Sequence, residues 1–168
     1  MPQPNTDDYT TPDQASRDIR NLSYAEHFIV WVMRTAVACA PECRMIHREF
    51  SHAFGPHVDA GAKAFERVLL VLSRGTRPIT LARPGHIYLT HDELSLVALF
   101  SAAQTGDEAR CLAHARWMMG QAAPEPLGAA AAELSGLLAR NSRTFRRVPE
   151  VIPPESCSGV PVTLHAVS

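Results

Sequence analysis

The chain has 168 residues, of which 46% are hydrophobic and 20% are charged, and its formal net charge is -1. This composition suits one folded domain and excludes a chain that is disordered throughout, because it supplies enough apolar side chains for a core. The lack of a basic excess disfavours nucleic-acid binding, since proteins that bind phosphate backbones usually carry more cations than anions.

The two ends of the chain differ in composition from its middle. Residues 1–20 have almost no apolar side chains, and residues 141–168 contain four prolines, so we expect disordered tails around a helical domain at 21–140. No apolar signal segment is visible, and the longest apolar run, Phe28 to Pro41, is shorter than the ~20 residues of a membrane span. We therefore expect a cytoplasmic protein with reduced cysteines. Abundant Arg and Ala, which GC-rich codons encode, are typical of a bacterial source.

The first predicted helix begins at a capping box. Ser23 caps a free backbone N–H, and Glu26 returns a hydrogen bond from the third helical position. The helix runs from Tyr24 to about Ala40 and is apolar nearly all round, with Arg34 among the few exceptions. Such a helix is usually buried on all sides, so we expect it to be the central one.

Two more helices are predicted in the following segment. Pro41 interrupts the first helix and suits the first position of a second, which Gly55-Pro56 ends. A third helix spans about residues 57–73, where apolar residues form a continuous stripe, and Gly75 is a suitable C-terminal cap.

Residues 78–89 have a different character. Two short β-prone runs flank Arg83-Pro84-Gly85-His86, whose Pro-Gly pair is typical of a type II turn. We expect a short β-hairpin or an ordered loop at this position.

Three further helices complete the expected fold. Thr90-His91-Asp92-Glu93 is a second capping box, at the start of a helix over about 91–104. The tight turn Gly106-Asp107 joins it to a helix over about 108–119, which should pack antiparallel to it. A last helix follows Pro126. The sequence therefore predicts an all-α protein, a compact bundle of five to six helices.

Two Cys/His pairs have the spacing of metal ligands on a helix. Cys43 precedes His47 by four residues, and Cys111 precedes His114 by three, so each pair shares one helical face. Thiolate and imidazole together suit zinc, which makes a metal-binding sensor one hypothesis. Free cysteines are also commonly buried as small apolar residues, so a purely structural role is the other.

Catalytic motifs are not visible in the sequence. It contains no nucleophile elbow, phosphate-binding loop, dinucleotide-binding motif or zinc-protease motif. The acidic and basic group His91-Asp92-Glu93 is explained by helix capping, because carboxylates in a first turn complement the helix dipole. We expect no catalytic residue and no cofactor, with an enzyme site assembled from distant residues as an alternative.

Contact with another protein is the leading functional prediction. Trp31 and the run Trp117, Met118 and Met119 are the candidate contact residues, since Trp and Met are enriched at interfaces. Adjacent helical residues point about 100° apart, so one helix face cannot bury all three members of the run, and part of it should reach either a second layer of helices or another chain. Burial of the run in the core is the structural alternative. We therefore expect a regulatory or adaptor module that binds another protein or a second copy. Residues 146–154 are a candidate extended docking segment, because proline favours polyproline II.

Overall fold

The computed structural model describes residues 17–39 and 44–146. The all-α prediction is confirmed over these ranges, which contain helices and, besides them, a single isolated β-bridge. None of the helices in these ranges combines the length and the apolar character needed to cross a bilayer. In chain order the helices are α1 (Tyr24–Ala38), α2 (Arg44–Phe54), α3 (Val58–Leu72), α4 (His91–Thr105), α5 (Glu108–Met119) and α6 (Glu125–Arg140).

The central helix is α4. Its residues from Asp92 to Ala102 are all buried, because α1, α5 and α6 pack around it. The sequence predicted this place for α1, which instead contacts α2 and α4 and leaves Val37 72% exposed. The prediction was wrong because α4 carries buried polar residues, such as Ser95 and Ser101, that reduce its apparent apolar character.

Both predicted capping boxes are present, and each capping glutamate also binds a distant segment. One carboxylate oxygen of Glu26 accepts from the Ser23 N–H at 2.7 Å, and the other accepts from the Arg146 N–H at 2.7 Å. Glu93 accepts from the Thr90 N–H at 2.9 Å and also binds a residue of α1. The local motif at each helix start is therefore part of the tertiary structure.

Arg34 is the buried residue of α1 that pairs with Glu93. Its Nε lies 2.6 Å from Oε1 of Glu93, and the two side chains are 2% and 0% exposed. The other guanidinium nitrogens donate to the carbonyls of His86 and Tyr88. Because a buried charge is stable only when it is paired and hydrogen-bonded, this cluster holds α1, α4 and the α3–α4 loop together.

The segment at 78–89 is an ordered loop, so the hairpin alternative was wrong. Its second β-prone run, 87–89, forms an antiparallel bridge with residues 17–19 instead of pairing with the first run. In the first run, the Thr80 N–H donates to the Asp92 carboxylate at 2.7 Å. The N-terminal end of α4 thus takes the backbone hydrogen bond that a hairpin partner would have taken.

The predicted turn between α4 and α5 is confirmed. Gly106 has φ 75°, the left-handed conformation that glycine adopts without strain. The Asp107 side chain accepts from the Arg110 N–H at 3.1 Å and so caps α5. The two helices pack against each other along their length.

The helical body extends beyond the predicted limits of 21–140. Residues 17–20 take part in the bridge and in a 3₁₀ turn. Phe145 is buried and stacks on Phe100, with 6.2 Å between the ring centroids. The inner ends of both predicted tails therefore pack against the bundle. The rest of those tails, residues 1–16 and 147–168, lies outside the described residues.

Candidate functional site

A groove of about 240 Å³ lies between α1 and α2. The residues that α1 contributes follow steps of three and four, which place them on one face of the helix. The residues that α2 contributes have the same spacing. The lining residues are Tyr24, His27, Phe28 and Trp31 from α1 and Met45, Arg48 and Glu49 from α2.

The floor of the groove is aromatic and firmly packed. Phe28 is buried, and its ring meets the rings of Phe50 and Phe54 edge-on, with centroids 5.5 and 5.6 Å away. Trp31 is partly buried against the same core. Met45 at the rim is 62% exposed. The groove therefore presents the partly buried Trp31 and the exposed Met45 to solvent above the buried ring of Phe28.

Tyr24 forms one end of the groove. The Arg143 guanidinium lies over its ring at 4.2 Å, and the His52 ring meets it edge-on at 5.3 Å. Its hydroxyl is buried and has no hydrogen-bond partner among the described residues. Burial raises the pKa of Tyr24, the Glu49 carboxylate raises it further, and Arg143 opposes both. The phenol thus stays protonated and keeps its hydrogen-bond donor.

The rim of the groove carries charges of both signs. The Arg48 side chain is 86% exposed, and its ion pair with Glu49 is long, at 4.0 Å. Burial lowers the pKa of His27, the positive charge of Arg34 lowers it further, and Glu49 raises it. His27 is therefore mostly neutral at pH 7, and Arg48 is the principal cation of the rim.

The predicted zinc ligands fall in different environments. His47 is exposed on α2, whereas Cys111 and His114 are buried on α5. Burial raises the pKa of the Cys111 thiol, and Asp107 and Glu108 raise it further, which disfavours the thiolate that a metal needs. No three His, Cys, Asp or Glu side chains of the described ranges are arranged to hold a metal ion. Cys43, the fourth predicted ligand, lies outside those ranges.

Met118 and Met119 are core residues, with 0% and 2% of their surface exposed. The sequence argument correctly excluded their burial on a single helix face. It left a second layer of helices or another chain as the alternatives, and α5 packs against both α4 and α6, which cover two of its faces. Burial removes both methionines from any surface that a partner can contact, and this corrects their prediction as contact residues.

Trp117 is only partly buried, but its polar and aromatic groups are engaged within the chain. Its Nε1–H donates to Asp92 at 3.3 Å. The Arg77 guanidinium lies 4.2 Å over its ring, and the His91 ring meets it edge-on at 5.8 Å. Trp117 therefore links α5 to the start of α4 and to the loop that precedes it.

Most of the groove was not identified from the sequence. Trp31 was predicted as a contact residue, but Tyr24, His27, Met45 and Arg48 were not. A usable signal was present, because aromatic residues recur along one face of α1. It was hidden by the expectation that this helix is buried all round.

No protein-family model matches the chain, and no curated protein or solved structure matches it either. A function has to be inferred from the geometry of the groove and from the charges around it.

Proposed function

We propose that this protein acts through protein–protein contact, as a regulatory or adaptor module, and that the groove between α1 and α2 is its contact surface. The observation that carries the proposal is the exposed Met45 beside the aromatic floor of Phe28 and Trp31. Aromatic residues and Met are the apolar side chains most enriched in the centres of protein interfaces.

The size of the groove favours a protein segment over a small molecule. Its volume is about 240 Å³. Sites that enclose cofactors and metabolites usually measure about 300–1,000 Å³ and bury most of the ligand. A shallow groove of this size instead accepts a few side chains from a partner.

The charges of the rim add a requirement for the partner. Arg48 is almost fully exposed, and Glu49 lies next to it in the sequence. A partner segment with an acidic and a basic side chain a few residues apart can pair its acid with Arg48 and its base with Glu49. Charge matching of this kind sets the register of a complex. A second copy is the partner we expect first, because most soluble oligomers consist of identical chains.

Sedimentation of the full-length chain tests the proposal. We expect the average mass of the wild type to rise with protein concentration and that of Met45→Glu to stay at the monomer value, because a carboxylate on the rim opposes desolvation of the groove. Leu70→Glu is the matched control, since Leu70 is 53% exposed on α3, outside the groove; it should associate like the wild type. A wild type that stays monomeric at every concentration, or a Met45→Glu variant that associates normally, contradicts the proposal.

A further inference from the structure

We infer that the groove binds residues Val148–Pro154 of a second copy, so that two chains exchange these segments. This inference rests on the proposed function and names the part of the second copy that fills the groove. Three observations support it: the chemistry of the groove, the composition of the segment, and the place where the described chain ends.

The groove has the chemistry of a site for extended, proline-containing peptides. Such peptides have the polyproline II conformation and bind in grooves lined with aromatic side chains. Tyr24, Phe28 and Trp31 supply three aromatic rings within two turns of α1. Because these rings are packed against the core, the groove needs little rearrangement to receive a peptide.

The segment matches the groove in apolar character and in charge. Val148–Pro154 consists of three aliphatic residues, three prolines and one acid, Glu150. Aliphatic and proline side chains suit the aromatic floor, and Glu150 suits the exposed guanidinium of Arg48. Arg147, which precedes the segment, supplies a second cation for Glu49, whose ion pair with Arg48 is long, at 4.0 Å.

The end of the described chain explains why the segment comes from a second copy. The Arg146 N–H donates to Glu26 of α1, and its carbonyl accepts from Ser101 of α4. Each residue of an α-helix is rotated by about 100° from the one before it. Glu26 therefore points about 150° away from the centre of the α1 face that lines the groove. An α-helix is about 10–12 Å wide, whereas two extended residues span about 7 Å. The segment as a whole, which starts at Val148, therefore cannot lie in the groove of its own chain.

When two copies exchange their segments, each segment lies in the groove of the other copy, so its short reach within its own chain no longer matters. Each chain has one groove and one segment, so two copies related by a two-fold axis satisfy both grooves and leave none open. Each contact is then made twice, which raises the stability of the pair above that of a single segment bound to a single groove.

Sedimentation of full-length variants tests the inference. Ile152→Glu should abolish concentration-dependent association, as Met45→Glu does, because it places a charge against the aromatic floor. Val162→Glu is the matched control: it makes the same kind of change outside the segment and should associate like the wild type. An equimolar mixture of Ile152→Glu and Met45→Glu should form a dimer that is weaker than the wild-type dimer but measurable at high concentration, since one of the two contacts is restored: the first variant retains its groove and the second its segment.

The fluorescence of Trp31 provides a second measurement, which reports on the groove itself. The chain has two tryptophans, so Trp117→Phe leaves Trp31 as the single indole fluorophore. Its emission should shift to shorter wavelength as concentration rises, because the bound segment excludes water from the ring. The shift should be absent when Ile152→Glu is added to the Trp117→Phe background.

The outcomes separate the inference from the proposed function. If Ile152→Glu associates like the wild type while Met45→Glu stays monomeric, the segment is not the occupant, and the groove remains the contact surface. If the equimolar mixture stays monomeric, or Trp31 emission does not change on association, exchange of segments is overturned. If Met45→Glu associates normally, both the proposed function and the inference fail.

Discussion

At the scale of single residues, His114 shows how burial changes an ordinary side chain. It is 1% exposed on α5, and its Nδ1 has no hydrogen-bond partner among the described residues. Burial lowers its pKa to about 4, and electrostatic interactions with Arg110 and His91 contribute in the same direction. The folded protein therefore contains a neutral imidazole at pH values where an exposed histidine carries a proton.

This burial predicts acid sensitivity with a definite sign. Below pH 6.5 the unfolded chain binds a proton at His114, and the folded chain does not until the pH nears about 4. The stability that neutral His114 contributes is therefore fully present above pH 6.5, its pKa in the unfolded chain. It is lost as the pH falls from 6.5 to about 4. The full shift corresponds to about 3 kcal/mol, at ~1.4 kcal/mol per pKa unit.

Urea unfolding of the wild type and of His114→Gln measures this contribution. Between pH 7 and about pH 4.5 the wild type should lose roughly 2–3 kcal/mol more of its free energy of unfolding than the variant does. The variant provides the control, because it retains every other titrating group. Equal losses in the two proteins would show that His114 does not cause the acid sensitivity.

At the scale of helices, the contact between α2 and α3 depends on a residue without a side chain. Gly61 in α3 lies over the ring of Phe54, which is fully buried. A Cβ added at Gly61 would come within 2.4 Å of ring carbons. Glycine is a poor helix former, so its presence here reflects the close approach of the ring.

Two glycine-to-alanine substitutions test this interpretation. Gly61→Ala should lower the free energy of unfolding by about 1–3 kcal/mol, because the buried ring has to move. Gly136→Ala in α6 should raise it by about 0.5–1 kcal/mol, since an added Cβ meets nothing within 4 Å there. Chemical denaturation measures both. Stabilisation by both substitutions would mean that Phe54 does not restrict Gly61.

The helices themselves were predictable from the sequence. The predicted limits of α5, residues 108–119, agree with the structure, and those of α3 and α4 agree within one residue. Capping, glycine turns and apolar periodicity act within about four residues, so they can be recognised without knowledge of the fold. The loop at 78–89 was harder, because its backbone hydrogen bonds go to distant partners.

At the scale of the whole molecule, the two ends of the described chain meet beside α1. The Ser23 hydroxyl donates to the Thr144 carbonyl, and the Arg146 guanidinium donates to the Asn21 carbonyl at 2.9 Å. Between these contacts, Phe145 inserts into the core, and its N–H donates to the Gln104 side chain at 2.9 Å. Residues 141–146 therefore belong to the folded body, although the composition of 141–168 predicted a tail.

Phe145→Ala tests whether this closure stabilises the fold. We expect a loss of about 3–5 kcal/mol in the free energy of unfolding, the range for removal of a buried Phe side chain. Leu70→Ala is the control at an exposed position and should change stability by less than about 0.5 kcal/mol. A loss of similar size in both variants would show that Phe145 is not part of the core.

By itself, the sequence determined the helices, their caps and the turn between α4 and α5, since short-range contacts specify these features. Only the tertiary structure decided that α4 is central, that α5 buries both methionines and that α1 and α2 form an aromatic groove. It also decided the partner of Arg34, which is 59 residues away in the sequence. These features depend on which faces the chain brings together, and side chains far apart in sequence become neighbours only through packing of the whole bundle.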